Sequence, residues 1–122
     1  MILIYNPNCE ICTNAKEFLD ENKIKYQTRN IINDTPTKEE LEKIIKLKDI
    51  SVNQLFNKSD LMYKQLHLKD KIFLMSDLEK LEILSSNGTL INRPILLTEN
   101  DVLIGFDLDE WKNKLLWRIL KN

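Results

Sequence analysis

Ile2-Leu3-Ile4-Tyr5-Asn6-Pro7-Asn8-Cys9-Glu10-Ile11-Cys12 is the stretch on which the reading of the fold turns. Four apolar residues in succession, stopped by Asn-Pro-Asn, predict a buried strand over 2–5 that ends in a tight loop. A helix is expected from about 10 to 22, with Ile11, Ala15, Phe18 and Leu19 spaced as one side of a 3.6-residue repeat and Asp20, Glu21 and Asn22 at its polar end. The two thiols therefore fall where a strand hands over to a helix, the context in which a two-cysteine spacing reads as a redox motif. A thiol at a helix N-terminus meets unpaired backbone donors and the positive end of the helix dipole, and both favour the thiolate. Cys9 is the expected reactive sulfur. Cys12, one turn deeper on the same side, is placed to resolve a mixed disulfide formed there. Two small buried residues would be the bland alternative, but burial alone does not predict a loop-to-helix position beside Pro7 and Asn8.

Working outward, Lys25 to Ile32 reads as a second strand in which Tyr26, Thr28 and Asn30 alternate with their neighbours. Thr37-Lys38-Glu39-Glu40 has the spacing of a capping box and opens a helix carrying Leu41, Ile44, Ile45 and Lys48 on one face. The signature returns at Ser51-Val52-Asn53-Gln54 and at Ser76-Asp77-Leu78-Glu79, the latter opening a helix with Leu78, Leu81 and Leu84 inward that stops at Asn87-Gly88. Ile95–Thr98 and Val102–Ile104, separated by Glu99, Asn100 and Asp101, predict an antiparallel hairpin. From Asp107, Leu108, Trp111, Leu115 and Ile119 recur at helical spacing behind first-turn acids. A strand-helix-strand start implies a crossover and a parallel pair, which a late hairpin extends into a mixed sheet. The expected class is α/β, with residues 1–122 as one domain holding a helical insertion at about 37–87.

Composition bounds the function. With 43% hydrophobic and 30% charged residues of both signs, the 122-residue chain can build one core under a soluble surface. Eighteen basic residues against nineteen acidic ones leave a net charge of −1, without the basic footprint of a direct nucleic-acid binder. The opening residues lack a secretory pattern and no apolar run reaches membrane-spanning length, so a cytoplasmic protein with no membrane partner is expected. The sequence has only two cysteines and one histidine, His67, too few to complete a four-ligand zinc site, and it carries no glycine-rich phosphate loop. Neither a metal nor a cofactor is expected. His67 is read as an ordinary, partly buried histidine, Trp111 and Trp117 as core, and Gly88 and Gly105 as a helix cap and a strand-end bend.

Arg93-Pro94 stands just before the hairpin. Proline there suits either an edge-strand start or a cis peptide, and Arg93 either a surface ion pair or an anion contact.

Taken together, Ile4 to Lys16, Leu55-Phe56-Asn57-Lys58-Ser59, Tyr63-Lys64-Gln65-Leu66, Leu90 to Ile95 and Val102-Leu103-Ile104-Gly105-Phe106 resemble the arsenate reductase-like (ArsC/Spx) group of thioredoxin-fold proteins over the whole chain. The resemblance implies a thioredoxin-like, glutaredoxin-like four-stranded mixed sheet with flanking helices. It also implies that Cys9 is the nucleophile, that Pro94 is the cis proline shaping the site, and that Arg93 faces the same site. A thiol reductant of glutathione, glutaredoxin or thioredoxin type is the implied partner. Spx-type relatives add the RNA polymerase α subunit.

Two departures bear on function. Of the three arginines with which glutaredoxin-coupled arsenate reductases hold the oxyanion, only Arg93 has a counterpart. The others fall on Asn57 and on Gly105 or its neighbours, and Lys58 cannot reproduce bidentate guanidinium geometry. Spx-type regulators carry a glycine in their polymerase-contacting surface, and Lys46 to Phe56 has none. Three readings follow: a Cys9/Cys12 thiol-disulfide redox protein, which is favoured, an arsenate reductase with Cys9 as nucleophile, and an Spx-type redox-sensitive regulator. Glu10 opposes the Cys9 thiolate, so a nearby Arg93 is needed to offset it.

Overall fold

The computed structural model describes residues 1–116. It divides into two compact units, one made of Met1–Arg29 with the chain from Arg93 onward and the other of Asn30–Asn92.

Along the chain, β1 (Ile2–Tyr5) leads through α1 (Glu10–Glu21) to β2 (Gln27–Asn30), and the hairpin strands are β3 (Ile95–Leu97) and β4 (Val102–Ile104). The four form one sheet in the order β2-β1-β3-β4. β1 runs antiparallel to β3 with Ile4 opposite Ile95, and β3 antiparallel to β4 with Ile95 opposite Ile104. β1 and β2, joined by the helical crossover, are the parallel pair of this mixed α/β sheet. Leu3, Leu96 and Leu103 line up across three strands on one face and pack with Ala15, Phe18 and Leu19 of α1 and with Trp111 and Leu115. Each such fully buried aliphatic side chain contributes roughly 1.5–3 kcal/mol. Thr98 belongs to the turn, where its hydroxyl donates to the Asp101 carbonyl and accepts the Asp101 N–H.

Helical phase differs from the expected one in α1. Ile11 is 52% exposed, and Cys12 takes the inward place with Ala15, Phe18 and Leu19, because positions 12, 15 and 19 keep the stripe facing the sheet. After α6 (Leu108–Trp111), residues Lys112–Leu116 are π-helical. Asp107 caps this end through the Glu110 N–H at 3.0 Å and leaves Leu108 facing outward, while Trp111 is fully buried. Trp117 and Ile119 lie outside the described residues. Gly105 has φ 73°, the left-handed bend expected at a strand end.

The second unit holds α2 (Lys38–Lys48), a 3₁₀ turn at Val52–Leu55, α3 (Leu61–Gln65), α4 (Leu68–Lys71), a 3₁₀ turn at Ile72–Leu74, α5 (Asp77–Ser86) and a 3₁₀ turn at Gly88–Leu90. The capping boxes at Thr37 and Ser76 close reciprocally: each hydroxyl accepts the N–H of the glutamate three residues on, whose carboxylate accepts the cap N–H. The box at Ser51 opens only the four-residue 3₁₀ turn. Leu78, expected inside, is 60% exposed; Lys80 is buried instead with Leu81 and Leu84, its stem lying along apolar surface and its ammonium 3.9 Å from Asp77. His67 is exposed and left-handed (φ 52°), because it joins α3 to α4 through a sharp turn. Gly88 is not a left-handed cap: it is glycine because a Cβ there would run into the Ile31 carbonyl.

Candidate functional site

The corner after β1 is built by Asn6. This residue is buried, its side-chain oxygen accepts the Asn8 N–H at 3.0 Å, and its carbonyl accepts the Cys9 N–H at 3.1 Å. Such an Asx turn folds the backbone back at the end of a strand and delivers the next residue to a helix start. Cys9 is that residue. Its backbone is extended (φ −113°, ψ 113°), its carbonyl accepts the Thr13 N–H at 3.2 Å, and its Sγ accepts the Cys12 N–H at 3.2 Å. The sulfur thus occupies the position that a serine or aspartate oxygen fills at an ordinary N-cap.

Both cysteines are free thiols, with Cys9 half-buried and Cys12 1% exposed. The Cys12 thiol is pushed up to about 12, chiefly by burial, and further by its hydrogen bond with Cys9 and by the charge Cys9 carries when ionised. A backbone hydrogen bond from Asn6 and the positive charge of Arg93 act in the opposite direction. The two sulfurs therefore have unequal surroundings: one can be reached from solvent at a helix N-terminus, the other is enclosed and held as the thiol.

Arg93 and Pro94 share this end of the sheet. Ile4 pairs with Ile95, so the residues next along are Tyr5, which leads into the Asn6 corner, and Pro94. The Arg93-Pro94 peptide is cis, as the resemblance implied, and the Pro94 carbonyl accepts the Gly105 N–H at 2.8 Å. Arg93 is close enough to Cys12 for its charge to be felt there. Lys16 directs its ammonium over the Tyr5 ring, 3.5 Å from the centroid. Asn57, Lys58 and His67 belong to the second unit. Among the described residues no cluster of three histidine, cysteine or acidic side chains is placed to hold a metal, and no helix is long and apolar enough to cross a membrane.

Two features of the site escaped the sequence reading. Asn6 appears there only as part of a loop, although Asn two residues before another polar loop residue is the ordinary sign of an Asx turn. Ile11, whose spacing suits the core face, stands exposed between the two cysteines.

The model of the ArsC family matches residues 4–114. The Bacillus subtilis protein YusI is 35% identical over 106 residues, covering 87% of this chain and 90% of YusI. Global transcriptional regulator Spx 1 of Bacillus cereus is 28% identical over 111 residues, covering 90% of this chain and 83% of the regulator. The crystal structure of an ArsC family related protein from Bacteroides fragilis matches with a TM-score of 0.87 at 40% identity, covering 92% of this chain and 94% of that one.

Proposed function

The chain belongs to the ArsC family, and from that membership we propose that it is a thiol-disulfide redox protein in which Cys9 attacks, Cys12 resolves, and Arg93 and Pro94 shape the site. The observation that carries this reading is the asymmetry of the pair: Cys9 Sγ is the helix cap, 3.2 Å from the Cys12 N–H, whereas the buried Cys12 thiol is pushed up to about 12.

The chemistry balances in two exchanges. The Cys9 thiolate attacks one sulfur of a partner disulfide, forming a mixed disulfide and expelling the other sulfur as a thiolate. Cys12 then loses its proton to that thiolate or to solvent and attacks Cys9 Sγ, releasing the second thiolate and leaving a Cys9–Cys12 disulfide. A thiol reductant of glutathione, glutaredoxin or thioredoxin type returns the pair to the dithiol. The order of events is built into the surroundings of Cys12. Two of the influences that hold it protonated come from Cys9, and both end once Cys9 is in a mixed disulfide, while the Asn6 and Arg93 influences that favour ionisation persist. Burial, the largest influence on Cys12, persists in the mixed disulfide, so its release towards the thiolate is partial. The cytoplasm, where thiols are kept reduced, is the compartment that suits such a cycle.

The test is alkylation rate against pH for the wild type, Cys9→Ser and Cys12→Ser, with mass spectrometry after mild oxidation. Fast alkylation should be lost with Cys9, and Cys12→Ser should accumulate mixed disulfides. Equal slow rates at both thiols and no linked species would overturn the reading. Arsenate turnover should be weak or absent, since one guanidinium cannot hold a tetrahedral anion as three can; robust Cys9-dependent turnover would restore the arsenate reductase reading.

The similarity to Spx 1 favours a second reading, in which the same thiol pair gates binding to the RNA polymerase α subunit. Retention on immobilised α subunit that differs between oxidised and reduced protein would support it.

A further inference from the structure

Among the apolar residues of α1, Cys12, Ala15, Phe18 and Leu19 are buried and only Ile11 is exposed, at 52%. A β-branched side chain in a first turn adds little to a helix, and singly exposed apolar residues are common. What sets this one apart is its place. Cys9 Sγ caps the helix, so Ile11 stands two positions from the sulfur that an exchanging disulfide must reach. Cys12 is buried, which leaves half-buried Cys9 as the point of attachment. The other neighbours offer less apolar contact: Asn8 and Glu10 are exposed and polar, and exposed Pro7 sits at the corner of the turn that the Cys9 N–H closes on the Asn6 carbonyl.

A mixed disulfide at Cys9 fixes where its partner lies. The Cα atoms of the two joined cysteines stand about 5.5–6 Å apart, and the residue beside the partner's cysteine follows about 3.8 Å further on. Ile11 is itself about 5.5 Å from Cys9, as residues two apart at a helix start are, so side chains flanking the partner's cysteine come within its reach. We propose that Ile11 is a specificity-determining residue of the Cys9 exchange, favouring disulfides of polypeptides whose cysteine has an apolar neighbour over glutathione disulfide, whose cysteine lies between glycine and a γ-linked glutamate. The inference rests on the thiol-disulfide reading above and leaves its chemistry unchanged. Cys9 bonds to one partner sulfur, the other departs as a thiolate, and Cys12 then displaces the first. Ile11 acts by covering apolar surface as the first bond forms. Burying the exposed half of an isoleucine side chain favours the matched partner by about three- to tenfold.

The test uses two symmetric, uncharged peptide disulfides, one of acetyl-Leu-Cys-Leu-amide and one of acetyl-Ser-Cys-Ser-amide, beside glutathione disulfide. Second-order rates of thiol release are measured for the reduced wild type, Ile11→Ser and Ile11→Leu. Each is divided by the rate of the same disulfide with dithiothreitol, so that intrinsic reactivity cancels. The Leu-to-Ser peptide ratio should be about threefold or more in the wild type and in Ile11→Leu, and fall towards one in Ile11→Ser. Glutathione disulfide should exchange no faster than the Ser peptide. Any change in the nucleophilicity of Cys9 scales both peptides alike and leaves the ratio untouched. A wild-type ratio near one, a ratio that survives Ile11→Ser or is lost in Ile11→Leu, or glutathione disulfide outpacing the Leu peptide overturns the role of Ile11 and leaves the redox reading standing. Exchange with none of the three disulfides overturns the redox reading, and the role of Ile11 with it.

Discussion

The starts of α1 and α5 share a four-residue design. Ser76-Asp77-Leu78-Glu79 places a hydroxyl at the cap and a carboxylate three positions on, and each accepts a backbone N–H from the other residue. Cys9-Glu10-Ile11-Cys12 has the same spacing, but a sulfur at the cap takes the Cys12 N–H and no carboxylate stands at the third position to reciprocate. Oxygen with glutamate satisfies the donors of the helix end and locks the turn. Sulfur is a weaker acceptor than oxygen, so the unreciprocated end is held less firmly than the boxed one and leaves the cap atom a thiol. The contrast teaches that one spacing closes a reciprocal lock or leaves a thiol at the helix mouth according to the elements placed in it.

The widest separation between the two ends should appear in reactivity. Cys9→Ser turns α1 into an oxygen-capped helix, and alkylation of the protein at neutral pH should fall by on the order of a hundredfold or more, leaving only enclosed Cys12. Iodoacetamide kinetics read this directly. If the variant is alkylated as fast as the wild type, the cap position carries no special reactivity.

Next in size is the alkaline limb of stability. The Cys12 thiol is pushed up to about 12 in the folded chain, above the usual thiol range. In that interval the unfolded state has released a proton that the native state still holds, so stability is full below it and falls as pH rises from about 9 towards 12. Denaturant midpoints measured between pH 8 and 10.5 should decline in the wild type and decline less steeply in Cys12→Ala once each is referred to its own neutral value.

At the α5 end the signs exchange. Ser76→Ala should cost about 1 kcal/mol in equilibrium unfolding, and Thr37→Ala a similar amount, with Cys9 alkylation unaffected in both. Smallest of all should be the stability change in Cys9→Ser itself, within about 0.5 kcal/mol by thermal melting, because serine is as good a cap as the position can have. A loss of several kcal/mol would mean that the sulfur is needed for the fold, and the contrast between the two ends would fail.

Strong local grammar made much of this legible. The apolar run and Asn-Pro-Asn marked β1 and its corner, the capping spacings at Thr37 and Ser76 marked two helix starts, and two apolar runs with an acidic turn between them marked the hairpin. What stayed hidden depends on tertiary direction. Ile11 and Cys12 are neighbours, and periodicity alone cannot say which of two adjacent apolar residues turns inward. Leu78 and Lys80 show the same limit more sharply, since a four-carbon stem lets a lysine take the buried place while a leucine stays outside. The unequal thiols were legible in position, at the mouth of a helix, and the Asn6 turn rests on local hydrogen bonds, but the burial of Cys12 comes from long-range packing.

The hairpin leaves one further consequence, an optical one. Trp111 is fully buried, donates its indole N–H to the Gly105 carbonyl at 3.1 Å, and meets Phe106 and Phe18 edge-on at centroid distances of 4.9 and 6.2 Å. Gly105 in turn donates to the Pro94 carbonyl. An indole held that firmly in an asymmetric aromatic nest produces a near-ultraviolet circular dichroism band, and its chain of two hydrogen bonds reaches Pro94 at the start of the hairpin. The protein carries its own chromophore for watching this end of the sheet.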